Sequence, residues 1–160
     1  FDPRNNTISL SDTVYGSTTI AAVGVAAHEA GHAIQNATGY FPNKIRTVLV
    51  PVTNIGSRLA MPLVIVGLFL PVQYDFVVTI GIALYSFAVL FQLVTLPVEC
   101  NASFRAIRAL DEAGILYPDE LEGAKKVLTA AAMTYLAASF TAIMSLLRLL
   151  ILAGSRRGRD

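Results

Sequence analysis

Histidine is almost missing from this 160-residue chain, occurring only at positions 28 and 32. That scarcity excludes any centre built on three imidazoles. Cysteine occurs once, at Cys100, so no internal disulfide forms and no oxidising compartment is implied; with no second thiol or histidine nearby, Cys100 reads as packing. Charge is scarce as well, at 14% of residues with a formal net charge of +1, and the one basic run, Arg156-Arg157-Gly158-Arg159, is a tail. This balance gives no argument for nucleic acid as a partner. What fills the chain instead is apolar: 54% hydrophobic residues and a mean hydropathy of +0.60, the composition of a membrane protein of one domain.

The two histidines stand together in His28-Glu29-Ala30-Gly31-His32. On a helix, the i, i+4 spacing puts both rings on one face, where neutral ring nitrogens can hold Zn²⁺, while Glu29 lies beside the metal as a general base for water. The competing reading is a pair of core histidines on a buried helix. The surroundings favour a helix: residues 20–34 are Ala-rich and free of Pro, Ser17 and Thr18 are candidate N-caps, and Gly39 before Phe41-Pro42 is a stop signal. Upstream, residues 7–10 alternate polar and apolar side chains and predict a short strand, either an ordinary edge or one that takes an extended peptide.

Residues 76–97 carry no charge over 22 positions, enough to cross about 30 Å of hydrocarbon as a helix. Residues 59–72 are apolar but short and interrupted by Pro62 and Pro71, and they span only if their helix starts near Val48. With Gln73-Tyr74-Asp75 as a tight turn, the two arms form a transmembrane hairpin whose outer ends emerge on one side. Lys44, Arg46, Arg58, Arg105, Arg108, Lys125 and Lys126 flank that open side and the turn carries no positive charge, which makes the open side cytoplasmic. A last apolar stretch, residues 127–147, follows a helix start at Pro118-Asp119-Glu120. It either spans or packs on the catalytic helices, and the basic tail conflicts with spanning.

A catalytic zinc usually takes three protein ligands, and with no third histidine the remaining one is a carboxylate. Glu99 alone among the acids sits where a membrane helix meets a polar one, on the same side as His28 and His32 by the hairpin argument. Dipole complementation in a first helical turn is the plainer alternative for it. Asp111, Glu112, Asp119, Glu120 and Glu122 surround Gly114 and Pro118 as a solvated connector, and Asp75 lies in the turn. Asn101 and Ser103, two and four residues past Glu99, are either outer partners of a ligand histidine or surface polar groups.

Several blocks resemble the bacterial membrane-bound neutral zinc metallopeptidases of the YugP-like type. They are Asp2-Pro3-Arg4-Asn5, Val25-Ala26-Ala27-His28-Glu29-Ala30-Gly31-His32-Ala33-Ile34-Gln35, Val50-Pro51-Val52-Thr53-Asn54-Ile55-Gly56-Ser57, Phe91-Gln92-Leu93-Val94-Thr95-Leu96-Pro97-Val98-Glu99, and Leu128-Thr129-Ala130-Ala131-Ala132 with Thr134-Tyr135. The likeness covers nearly the whole chain and corresponds to the later two-thirds of a family member, so an upstream anchoring segment is expected. It implies a gluzincin-type site with one Zn²⁺ on His28, His32 and Glu99 and Glu29 as base. Cys100 departs from the pattern, standing where an aromatic residue, usually Phe, is expected.

The expected fold is a mainly α membrane protein: a gluzincin-like helical zinc site, a short β element and a transmembrane hairpin. Residues 1–44 hold the motif helix, 45–97 the hairpin, 98–117 the third-ligand helix and connector, and 118–160 the C-terminal helix and basic tail. The expected activity is a multi-pass cell-membrane endopeptidase with its site on the cytoplasmic side, acting on peptide or protein substrates. Glu29 passes the water proton to the leaving amine, and Tyr135 or Arg105 serves as oxyanion donor. An intramembrane site-two-type protease would need an aspartate ligand from another membrane segment, and none lies inside one. A catalytically silent zinc-binding adaptor or chaperone has no use for an intact Glu29. A transporter would show repeated halves or an intramembrane charge pair.

Overall fold

The computed structural model describes residues 1–157, and among these the chain is almost wholly helical. The helices are α1 (Asp12–Tyr15), α2 (Ile20–Ala37), α3 (Phe41–Phe69), α4 (Asp75–Ala113) and α5 (Pro118–Arg157), with a 3-10 turn at Val72–Tyr74. The strand expected over residues 7–10 is reduced to one antiparallel bridge between Asp2 and Thr7, closed through Asn6 at φ 51°. Asp2 holds that loop by accepting the Arg4 backbone N–H at 2.9 Å, a bond that also keeps its carboxyl below the usual range. Among the described residues no second strand offers residues 8–10 a ladder, and a lone strand is not stable.

The N-cap of the motif helix α2 falls one residue past Thr18 and two past Ser17, the expected caps. Thr19 takes that place, its hydroxyl accepting from Ala22 N at 3.3 Å, and Ser17 Oγ supports it at 3.0 Å from Thr19 Oγ1. Gly39 ends the helix at φ +65°, a conformation open to glycine at little cost.

Two expected breaks are absent. Residues 41–69 form one helix through Pro51 and Pro62, so the first hairpin arm is longer than the apolar stretch alone. Likewise α4 runs unbroken through Pro97, which places Glu99 in mid-helix rather than in a first turn. Proline removes one backbone donor from the ladder, a local loss that long apolar helices tolerate when neighbours pack against them.

The chain divides into two compact units: residues 1–44 with 95–136, and residues 45–94 with residues from 137 onward. In the first, α4 buries Val98, Glu99, Ala102, Ser103, Ala106 and Leu110, a stripe at three- and four-residue spacing. From α2 come Gly24, Gly31, His32 and Gln35, and from α5 Ala124 and Leu128. Glu99 is 1% exposed within this apolar stripe.

In the second unit α3 meets α4 through small residues. A Cβ on Gly81 would stand 2.8 Å from Val64 N, and one on Gly67 2.9 Å from Val78 N, so the backbones approach as membrane helices do. Val64, Val78, Ile82, Leu149 and Ala153 form the core there. Arg156 donates to the carbonyls of Gly67, at 2.6 Å, and Leu70, and its Nε lies 3.7 Å from Asp75 Oδ1. The end of α5 therefore meets the α3–α4 turn, and α5 runs parallel to α3 in this unit.

Three helices, α3, the 72–113 segment and α5, are long and apolar enough to cross a membrane, and most of their apolar side chains are outward-facing. Such a surface in water would be a large aggregating patch, whereas a bilayer solvates it. Of the basic tail, Gly158 and Arg159 lie outside the described residues.

Candidate metal centre

The helical period of α2 brings His28 and His32 one turn apart, their ring centroids 4.7 Å from each other at 85°. Opposite them, Gly31 lets α4 come in to backbone contact: a Cβ there would lie 2.3 Å from the carbonyl oxygen of Ala102. This close approach carries Glu99, three residues before Ala102, against both rings. Glu99 Oε2 is 3.0 Å from His28 Nε2 and 3.4 Å from His32 Nε2.

The three residues form a group able to hold a metal ion, with all donor atoms within 4.8 Å of one another. Zinc bonds of 2.0–2.1 Å in tetrahedral array separate neighbouring ligand atoms by about 3.3 Å, close to both contacts. The donor chemistry fits too: one buried carboxylate and two imidazoles, each presenting Nε2 inward while its Nδ1 is engaged outside. His28 Nδ1 lies 3.1 Å from Ser103 Oγ, and His32 Nδ1 lies 3.0 Å from Gln35 Oε1.

The sequence alternatives for Asn101 and Ser103 thus divide. Ser103 touches a ring directly. Asn101 reaches His32 only through Gln35, whose Nε2 donates to Asn101 Oδ1 at 3.0 Å and to Val98 O at 2.7 Å. Sequence reasoning missed Gln35. The available signal was its place three residues after His32, a polar side chain on the buried face of an Ala-rich helix.

Glu29 is half-buried and its Oε2 meets the Phe1 amino nitrogen. Arg105 Nε donates to Asn101 Oδ1 at 2.8 Å, and its guanidinium stands 5.7 Å from the Tyr40 ring centre. Tyr135 is half-buried on α5. A cleft of about 350 Å³ lined by Ile34, Phe104 and Arg105 among others reaches Asn101. The connector acids are engaged locally: Glu112 with Arg108 at 2.7 Å, Glu122 with Lys126 at 2.8 Å, and Glu120 with the backbone N–H of Tyr117 at 2.9 Å. Cys100 is exposed, so the residue that departs from the family pattern stands off the buried stripe.

Gly31→Ala should be among the most damaging small substitutions here, because backbone rather than a flexible side chain blocks the methyl. Overpacking of this kind costs about 1–3 kcal/mol. A denaturation midpoint measured in detergent should fall, and zinc affinity should fall with it as α2 and α4 separate. An unchanged midpoint would mean that the helices do not approach this closely.

A model of the family described as "Putative neutral zinc metallopeptidase" matches residues 1–154. The chain is also 41% identical over 160 residues to "Putative membrane protease YugP" of Bacillus subtilis (strain 168), covering 100% of this chain and 69% of that relative. No solved structure matches it.

Proposed function

The chain belongs to the neutral zinc metallopeptidase family, and from that premise we propose that it is a membrane-bound, zinc-dependent endopeptidase of gluzincin type. The observation that carries this reading is the convergence of His28 Nε2, His32 Nε2 and Glu99 Oε2, an inward-facing donor set formed by the chain's two histidines and one buried carboxylate. These three residues would hold one zinc ion. When bound, zinc supplies Lewis acidity for activating water and polarising the scissile carbonyl.

Glu29 accepts a proton from the attacking water as the new carbon–oxygen bond forms, then returns it to the amine nitrogen as the carbon–nitrogen bond breaks. Ser103 and Gln35 hold the two rings in place from outside. Tyr135 is our choice for the hydrogen-bond donor to the carbonyl oxygen, with the Nη groups of Arg105, whose Nε is bound to Asn101, as the alternative. The substrates are peptides or proteins.

The same reading makes the protein multi-pass, with its site facing the cytoplasm. Lysine and arginine around the hairpin's open side support that orientation. Arg156 no longer opposes a third span, because Asp75 and two backbone carbonyls neutralise and hold it at the turn.

The test is hydrolysis of an unfolded protein substrate by detergent-purified enzyme with its zinc content measured. One zinc per chain, activity lost to a chelator and restored by one equivalent of zinc is the expected result. A protein that binds zinc but cleaves nothing under all substrates tried would point to the silent adaptor.

A further inference from the structure

Gln35 has no exposed surface, and its carboxamide meets three partners whose chemistry determines the protonation of the ring beside it. Val98 O is a carbonyl and can only accept, so the Gln35 atom 2.7 Å away is the amide nitrogen. The second N–H of that nitrogen faces Asn101 Oδ1 at 3.0 Å. That Asn101 atom is an oxygen in turn, because Arg105 Nε, a donor only, stands 2.8 Å from it. Gln35 therefore presents its oxygen to His32 Nδ1 at 3.0 Å, and an oxygen there accepts. The proton of a neutral His32 must sit on Nδ1, leaving the Nε2 lone pair directed at the space shared with Glu99 Oε2, 3.4 Å away.

We propose that Gln35 is a positioning residue that fixes His32 in its Nδ1–H tautomer, and that Asn101 and Arg105 act through it by fixing the orientation of its amide. The proposal rests on the metallopeptidase reading for its purpose, though the tautomer itself does not depend on metal. Unconstrained neutral imidazole populates both tautomers, and only one of them offers Nε2 as a ligand. At His28 the arrangement differs: Ser103 can donate or accept, so its hydroxyl orients that ring without choosing a tautomer. Of the two ligand rings, His32 alone has its proton specified by the protein. Burial makes the specification strict, since no water can replace a lost partner of Gln35 and an unpaired polar group there is costly.

The chain's two histidines make the test direct, because ¹⁵N-histidine labelling yields two ring systems only. Long-range ¹H–¹⁵N spectra of the 160-residue, metal-free chain in detergent, at a pH where both rings are neutral, report which nitrogen of each carries the proton. Ser103→Ala identifies the His28 signals by shifting them. The expected spectrum has His32 protonated at Nδ1 alone. In Gln35→Met, similar in length but lacking the acceptor, His32 should show mixed tautomers, and zinc affinity by competition titration should drop about 10- to 100-fold. Gln35→Glu keeps an acceptor at Nδ1 but turns its other oxygen on Val98 O and Asn101 Oδ1, so it should retain the tautomer, unlike Gln35→Met, while unfolding more easily than the wild type.

A wild-type His32 with a bare Nδ1 overturns the proposal, and this result needs no variant to fold. So does a folded Gln35→Met protein with unchanged tautomer and affinity. Should the wild type show the Nδ1–H signature yet bind no zinc, the metallopeptidase reading falls while the tautomer assignment stands.

Discussion

Glu29→Gln is expected to bind one zinc as the unsubstituted protein does and to lose peptide hydrolysis by about 10²- to 10⁴-fold, the usual contribution of a positioned general base. Glutamine keeps the shape of the side chain, which is half-buried beside Phe1, and changes little but basicity. No amide can take a proton from water at neutral pH and return it to an amine. The histidines are not touched, so zinc stoichiometry should be unaffected. The decisive pair of measurements is zinc content and initial cleavage rate on the same preparation. Full activity in Glu29→Gln would assign the base to another residue, and loss of both zinc and activity would mean that Glu29 helps hold the metal.

The site was more legible in the sequence than the path of the chain around it. His28 and His32 announce a shared helical face through spacing alone, and the absence of further histidines turns the search for a third ligand towards carboxylates. Glu99 was distinguishable because its neighbours are apolar, and an acid flanked by Val98 and Ala102 must be buried among them once α4 packs on α2. What spacing does not encode is continuity. Pro62, Pro71 and Pro97 read as breaks; Pro71 does stand outside α3, yet Pro62 and Pro97 lie inside helices, because packing along a long apolar helix outweighs the loss of single ladder bonds. The short strand failed for a related reason: alternation over residues 7–10 specifies a face, but a face without a neighbouring strand gains no ladder. Gln35 is hard to assign from sequence because, besides His32 on its own helix, it is held by partners on α4. Its partners Val98 and Asn101 lie more than sixty positions away. Arg156 reads in sequence as a tail charge, because its partners Gly67, Leu70 and Asp75 lie more than eighty positions away at the other end of a folded-back helix.

Glu99→Ala should abolish stoichiometric zinc binding, a larger effect than the loss of any outer partner of the rings. Two imidazoles on one helix leave a metal with half a tetrahedral shell, whereas three protein ligands plus an open position is the arrangement catalytic zinc uses. Thermal unfolding separates this from simple misfolding. Zinc added to the wild type at about 100 times its Kd should stabilise the fold by about 2.7 kcal/mol, and Glu99→Ala should show no such rise. In the metal-free state the effect on stability is expected to be small. Glu99 is 1% exposed, and an ionised carboxylate buried to that degree opposes folding unless charge or hydrogen bonds compensate it. Replacing it with alanine removes that charge at the cost of a small cavity, so the metal-free variant should unfold at or near the wild-type midpoint. A variant that unfolds near the metal-free wild type and ignores zinc identifies Glu99 as the ligand that completes the site. Retention of one equivalent of zinc would mean that the third ligand lies elsewhere and that the contacts of Glu99 with His28 and His32 are ion pairs of a metal-free centre.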